Sequence, residues 1–334
     1  MKAYRILAYS KKAPLELVEL PIPEPQADEV LIQICATSIN PLDLKLKQGD
    51  FKLLLPYQMP LILGHDLAGK IVQVGPQVKH FQVGDEVFAR PSDFRIGTFA
   101  EYLAVQESDV ALKPRNWSME QAASLPLIGL TAWQALVERA NVQKGQKVFI
   151  QAGSGGVGTL AIQLAKQLGA FVATTTSAEN ADLVKSLGAD AVIDYRTQDF
   201  ETELQDYDVV LHSQDTKTLE KSLRILKKGG KMVSISGPPD PRFAESKGLN
   251  WFMKMVIFLL SRKVLKQAQK EGKDYSFLFM KADGKQLAQL STMAEEGNIQ
   301  PVIDQVFPFE QLNEAFAYVE KGRAKGKVVV SVRP

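Results

Sequence analysis

One stretch restricts the fold of this chain more than any other: a glycine cluster set between an apolar run and a helix-spaced segment. Val148-Phe149-Ile150 leads into Gln151-Ala152-Gly153-Ser154-Gly155-Gly156-Val157-Gly158. Thr159 to Lys166 follow with apolar residues at helical spacing. The reading is a strand, a tight turn and a helix. Gly153, Gly155 and Gly158 fit the pattern G-x-G-x-x-G. One glycine makes the turn, one lets backbone N–H groups approach a pyrophosphate, and one lets the helix lie close on the strand. The helix start then offers free N–H groups and the positive end of its dipole to an anion. A second strand, Phe171-Val172-Ala173-Thr174, stands where the pattern needs one. Together these predict a dinucleotide site, with Gly153, Ser154, Gly155, Gly156, Val157 and Gly158 around the phosphates.

The glycine loop leaves a long chain on either side, and 334 residues suffice for two domains. Up to about residue 115 the texture is that of a β-rich domain. Val30 to Ala36, Ala68 to Gly75, Val83 to Ala89 and Gly97 to Val105 are short strand candidates divided by Gly and Asp turns, after a Pro-rich stretch at 21–25 that excludes regular structure. Near Ser118 the pattern turns helical, interrupted by Pro126, and from Lys147 strands alternate with helices as in a doubly wound parallel sheet. Residues 238 to about 275 break that alternation with a Pro-rich turn and an apolar, then basic, helical stretch. A last strand of the sheet is expected at Ser276 to Met280. The final strand, Lys327 to Val332, has no helix of its own and is expected back on the N-terminal β domain.

Charge and cysteine content limit the function classes. Forty basic and thirty-eight acidic residues are interspersed and leave +2, so no block of charge points to nucleic acid. Cys35 is the single cysteine, which excludes an internal disulfide and a multi-cysteine zinc site. Met1-Lys2-Ala3-Tyr4 runs into mixed polar sequence, so no signal peptide is expected. The most apolar segment, Trp251 to Leu260, is too short to span a membrane and contains Lys254. A cytoplasmic protein is the expectation.

Gly64-His65-Asp66-Leu67-Ala68-Gly69, Val83-Gly84-Asp85-Glu86-Val87, Gly97-Thr98-Phe99-Ala100-Glu101-Tyr102, the glycine loop and Gly326-Lys327-Val328-Val329 are spread over nearly the whole chain. In these motifs it resembles the medium-chain dehydrogenase/reductase superfamily, in its zinc-independent quinone oxidoreductase (zeta-crystallin-like) branch. Asn40-Pro41-Leu42-Asp43 and the insertion near residue 250 are similar to the plant-type quinone oxidoreductases and alkenal/enone reductases. The resemblance implies an α/β protein with a GroES-like β-rich catalytic domain (1–120, completed by 300–334) and a Rossmann domain (121–299, insertion about 240–275). It also implies a cleft between the two and a homodimer.

The cofactor follows from the tip of the second strand. An NAD site places an acid about twenty residues beyond the glycines to bond the ribose 2′-hydroxyl. Here the strand ends in Thr174-Thr175-Thr176-Ser177, and hydroxyls do not repel a 2′-phosphate. Ser177 and Tyr195 match positions that bind the 2′-phosphate in NADPH-dependent relatives, with Thr176 beside them. The lysine expected three residues after Ser177 is Asn180, and Arg196 or Lys185 is available to compensate. The expected cofactor is NADPH. Ser236, Gly237, Phe279, Met280 and Lys327 complete the cofactor set that the resemblance implies.

No metal is expected. Zinc relatives place a cysteine about where Asn40 sits and a His-Glu pair at His65-Asp66. Two ligands fall short of the three protein groups a catalytic zinc needs, which leaves His65 as a hydrogen-bonded histidine. A quinone or an α,β-unsaturated carbonyl already has an electrophilic carbon. It needs only an oriented nicotinamide, donors for the developing enolate and a proton. Asn40 is the first candidate donor, set against a turn residue before Pro41. Lys45 either polarises a carbonyl, anchors phosphate or is a solvated helix lysine. Thr131 either contacts the nicotinamide or caps a helix.

The function expected is hydride delivery from NADPH to a quinone or enone. The alternatives are a catalytically idle NADPH-binding protein and, with less support, a zinc alcohol dehydrogenase. The helix from Asn250 to Lys270 is read as a pocket lid, a dimer element or a membrane-surface helix. Packing on the cleft is the simplest account, because no lipid anchor accompanies it.

Overall fold

The computed structural model describes residues 1–333. Two compact units emerge, one from Met1–Leu130 with the chain from Lys281 onward, the other from Thr131–Met280.

Unit 1 begins with strands β1 (Lys2–Ile6), β2 (Glu16–Glu19), β3 (Glu29–Ile39), β4 (Leu61–Ile62), β5 (Asp66–Val74), β6 (Glu86–Ala89), β7 (Tyr102–Gln106) and β8 (Val110–Leu112). Unit 2 contributes β9 (Lys147–Ile150), β10 (Phe171–Thr176), β11 (Ala191–Asp194), β12 (Tyr207–His212), β13 (Leu226–Ser234) and β14 (Asp274–Phe277). The chain then returns to unit 1 with β15 (Ile303–Pro308) and β16 (Lys327–Ser331).

In unit 1, β2, β1 and β4 form a small sheet. The larger sheet runs β15-β16-β3-β5-β6-β8, with β7 on β3. β3 is its spine: eleven residues, nearly all buried, which pair antiparallel with β5, β7 and β16. Val30, Ile32, Ile34, Leu67, Ile71, Val87 and Val105 pack into one cluster, as period-2 apolar strands must when one face is turned inward. The last strand does return to the N-terminal sheet, where Val329 faces Ser38 across the ladder.

Unit 2 is a six-stranded parallel sheet in the order β11-β10-β9-β12-β13-β14. Counted within the unit this is 3-2-1-4-5-6, the doubly wound order that binds dinucleotides where the strand order reverses, beyond the carboxyl ends of strands 1 and 4. Those strands are β9 and β12. Phe149, Val210, Leu223, Met232 and Tyr275 fill the core beneath one face.

Several local expectations change. Residues 281–299, expected with the nucleotide domain, group with unit 1. The helix Gly284–Glu295 lies so close to the β8 region that a Cβ on Gly284 would meet the Val110 carbonyl oxygen at 2.4 Å. Pro126 opens the helix Pro126–Trp133 rather than only breaking one, since its missing N–H costs nothing in a first turn. Thr131 therefore sits inside that helix rather than at its start. The strand expected at Ser276–Met280 ends at Phe277, which leaves Phe279 and Met280 beyond the sheet.

Candidate functional site

Unit 2 builds its candidate site almost entirely from backbone. β9 ends at Ile150, and the turn passes through Ala152 with φ of +53° before the helix Gly156–Gln167 begins. A Cβ on Gly153 would lie 2.2 Å from the Thr174 hydroxyl oxygen. One on Gly158 would lie 2.3 Å from the Ala152 carbonyl oxygen. Both positions are closed to any side chain, which is the steric reason for two glycines of the fingerprint. The first hydrogen bond of the helix runs from the Thr159 N–H to the Gly155 carbonyl at 2.9 Å. The N–H groups of Gly156, Val157 and Gly158 thus have no acceptor within the helix, and no side chain caps its end. That arrangement fits a pyrophosphate.

Beside the loop, the ends of β10 and β11 carry hydroxyl and amide groups. The Thr176 hydroxyl donates to Ser154 Oγ at 2.9 Å, and Asn180 Nδ2 reaches Ser177 Oγ at 3.2 Å and Ser154 Oγ at 3.4 Å. Tyr195 is held next to them by its N–H to the Thr176 carbonyl and exposes 60% of its surface. Asn180 Oδ1 is buried with no hydrogen-bond partner among the described residues. The carboxylate of Glu179 is bound by Arg196 at 3.0 Å, so this arginine is engaged, while Lys185 is exposed.

At the ends of β13 and β14, Ser236 Oγ donates to the Gln214 carbonyl and lies 3.2 Å from His212 Nδ1. Gly237 takes a φ of +103°. Phe279 lies under the Lys247 ammonium, 4.9 Å from its ring centroid, and Met280 is buried. His212, in the same region, is desolvated by burial, which pushes its imidazole down to about 4. It is neutral at physiological pH.

Unit 1 builds a different kind of site, from buried charged side chains. Helix α1 (Pro41–Gln48) starts after Asn40, whose backbone N–H donates to Asp43 Oδ2 at 2.8 Å. Asp43 Oδ1 bonds His65 Nδ1 at 2.6 Å, with both side chains buried. The pairing holds the ring with Nδ1 towards Asp43 and leaves Nε2 as its second polar position. That Nε2 is buried and has no hydrogen-bond partner among the described residues.

Asp66, the next residue, faces other groups. Its Oδ1 accepts from the Leu127 N–H at 2.7 Å. Its Oδ2 accepts from Ser38 Oγ and Asn40 Nδ2, each at 2.8 Å, and from Lys327 Nζ at 3.1 Å. Lys327 Nζ also donates to Asn40 Oδ1 at 2.5 Å and to the Ile39 carbonyl at 3.2 Å. Three ammonium hydrogens thus meet three acceptors. Lys327, expected at the cofactor, has its ammonium in this cluster. Asn40 meets it there, its amide bridging Asp66 and Lys327 with one Nδ2 hydrogen to spare. Lys45 stands apart on the exposed side of α1, and Thr131 is buried in its helix.

The donor set does not fit zinc. His65 and Asp66 turn to separate partners, and the cation facing Asp66 is the Lys327 ammonium. Cys35 lies on β3, and among the described residues no group of three or more His, Cys, Asp and Glu is placed to hold a metal ion. A cavity of about 1180 Å³ also lies in unit 1, between Glu107–Lys113 and the helix Gly284–Glu295. Lys113 and Arg115 on its wall are paired with Glu86 and Glu295. Neither the Asn40 cluster nor the glycine loop borders it.

Such a GroES-like sheet unit, together with a doubly wound nucleotide unit, defines the medium-chain dehydrogenase/reductases. The alcohol dehydrogenase GroES-like domain matches residues 26–115, and the zinc-binding dehydrogenase family matches residues 187–330. The chain is 36% identical to a tomato (Solanum lycopersicum) 2-methylene-furan-3-one reductase, across 100% of this chain and 80% of that protein. It is 37% identical to the chloroplastic NADPH-dependent alkenal/one oxidoreductase of Arabidopsis thaliana, across 92% and 73%. Among solved structures, the quinone oxidoreductase of Coxiella burnetii superposes with a TM-score of 0.87 at 31% identity, covering 100% of this chain and 99% of that one. The chain belongs to the medium-chain dehydrogenase/reductase superfamily.

Asp43, His65 and Asp66 are the residues that sequence reasoning undervalued. Asn40-Pro41-Leu42-Asp43 and Gly64-His65-Asp66 were both visible as motifs. That they meet each other and Lys327 is a property of the fold.

Proposed function

We propose that this chain is an NADPH-dependent, zinc-independent oxidoreductase that reduces quinones or the carbon–carbon double bond of α,β-unsaturated carbonyls. The observation that carries the cofactor reading is the hydroxyl and amide cradle of Ser154, Thr176, Ser177 and Asn180. No carboxylate stands on β10 itself; of the two nearby, Glu179 is paired with Arg196, and Asp194, opposite Thr176 on β11, accepts the Arg196 backbone N–H. A 2′-phosphate meets donors there rather than a repelling charge. NADPH, when bound, supplies the hydride.

The chain's own residues divide the remaining work. The amides of Gly156, Val157 and Gly158 hold the pyrophosphate. Ser236, Gly237, Phe279 and Met280 border the cofactor farther along the sheet edge, and Thr131 contacts the nicotinamide. Asn40 offers its spare Nδ2 hydrogen to the substrate oxygen, with Asp66 and Lys327 fixing the amide plane. Asp43 orients His65, whose Nε2, when it carries a proton, would give it to the anionic oxygen or carbon that hydride addition leaves on the substrate. Lys45 is available to an anionic part of the substrate or cofactor. The enzyme works as a homodimer in the cytosol in this reading.

The test is NADPH oxidation across a panel of enones, quinones and aldehydes, with ethanol-linked NAD reduction alongside. Turnover of enones or quinones supports the reading. Tight NADPH binding without any turnover replaces it with an idle binding protein. Asn40→Ala should lower kcat by about tenfold or more while NADPH affinity holds, as expected for a group acting on the reacting oxygen.

A further inference from the structure

The helix Trp251–Lys270 of unit 2 carries a face that the reduction chemistry does not use. Its inner stripe, Ile257, Ser261, Val264 and Ala268, is buried, and Val264 and Ala268 join the core of the unit. The opposite side is exposed and apolar over the first half. Trp251 exposes 75% of its surface, Leu259 57% and Phe252 53%, with Met255 and Phe258 also exposed. At 100° per residue these side chains share one face, and the same face continues into Arg262, Lys263, Lys266 and Lys270. The helix has five basic residues and no acidic one; from 241 to 273 there are eight basic and two acidic.

Acids that come near are already bound: Glu220 by Lys263 at 2.5 Å, Glu271 by Lys273 at 2.7 Å and Asp274 by Arg242 at 3.0 Å. Among the described residues no helix is long and apolar enough to cross a membrane. Lys263 is thus compensated, which leaves Arg262, Lys266 and Lys270 as the basic end of the face; large apolar groups at one end and cations at the other are what a helix needs to lie in the headgroup layer of an anionic bilayer. The apolar half would enter the acyl boundary while the basic half stays with the phosphates.

We propose that this helix docks the protein on the surface of an anionic membrane. The inference is independent of the substrate. If the reductase reading also holds, docking places the enzyme at the phase in which hydrophobic quinones and enals dissolve.

Vesicle co-sedimentation of the full chain tests it, comparing pure phosphatidylcholine with an equal mixture of phosphatidylcholine and phosphatidylglycerol. Binding should be about tenfold or more stronger to the mixture and should weaken with salt. Replacing Phe252 and Leu259 with Ser, or Arg262 and Lys266 with Glu, should each abolish it, with the thermal midpoint and NADPH affinity unchanged. On the wild-type chain, brominated lipids should quench fluorescence, and Trp251→Phe should remove that quenching, which guards against a variant that fails to fold. A wild-type chain that stays in the supernatant with the mixture overturns the proposal. So does binding that survives loss of Phe252 and Leu259. A third overturning result is a smaller species in light scattering for that variant without vesicle binding in the wild type, which would assign the face to a second copy.

Discussion

The two candidate sites of this molecule are built from opposite materials. In unit 2 the glycine loop is defined by what it lacks: no Cβ at Gly153 or Gly158, no side-chain cap on the helix, no acid on the end of β10 itself. In unit 1 the site consists of buried ionisable side chains that hold one another, Asp66 with Lys327 and Asp43 with His65. A backbone site tolerates little change of shape but places little charge out of water. A buried ion cluster tolerates little change of charge, because each member has left water on the condition that its partner is present.

The contrast can be tested in order of expected effect. The largest loss should come from Asp66→Ala, which strands the Lys327 ammonium in the interior. We expect about 3–5 kcal/mol of lost stability in urea unfolding. Lys327→Met should cost less, because Asp66 keeps the Ser38, Asn40 and Leu127 donors. Adding Lys327→Met to Asp66→Ala should recover stability; a double variant less stable than Asp66→Ala alone would break this account of the cluster.

Unit 2 has its own buried ionisable group in His212. Its folded value of about 4 lies below the ordinary 6.5, so the unfolded chain binds the extra proton between these values. Stability is therefore full above pH 6.5 and falls as pH drops towards 4, by about 3 kcal/mol at most. His212→Gln should flatten that limb of the stability-versus-pH curve, and an unchanged limb assigns the acid sensitivity elsewhere.

Gly158→Ala adds a Cβ that would sit 2.3 Å from the Ala152 carbonyl oxygen and forces the loop open. NADPH affinity should fall about a hundredfold, roughly 2.7 kcal/mol, in a fluorescence titration. Urea unfolding should show no loss comparable to that of Asp66→Ala. Smallest is Asn180→Lys, which puts a cation beside Ser177. It should tighten NADPH about fivefold, close to 1 kcal/mol, and leave NADH unchanged. Equal tightening of both would remove the 2′-phosphate from this corner.

The same contrast explains what could be read early. The glycine loop is contiguous, and its constraint is local sterics, so Gly153 to Gly158 declare themselves along a few residues. The threonine-rich end of β10 is similarly local. The polar cluster draws on residues 40, 43, 65, 66 and 327, and only the pairing of β16 with β3 brings Lys327 under Asn40. Each of its members looks ordinary alone. The three bonds of Lys327 within unit 1 are likewise invisible along the chain. The helix Gly284–Glu295 was expected with the nucleotide unit for a related reason. Helical periodicity tells which face is apolar but not which sheet covers it.

Sequence by itself determined the two-part architecture, the strand–turn–helix with its glycine loop and the lack of cysteines for a multi-cysteine zinc site. Those depend on near neighbours, on composition, and on excluded volume within one turn of chain. Tertiary structure alone decided that Lys327 balances Asp66, that Asp43 turns His65, and that the apolar end of Trp251–Lys270 is left facing outward. Those depend on distances between residues far apart in the chain, which are fixed only by the packing within each unit.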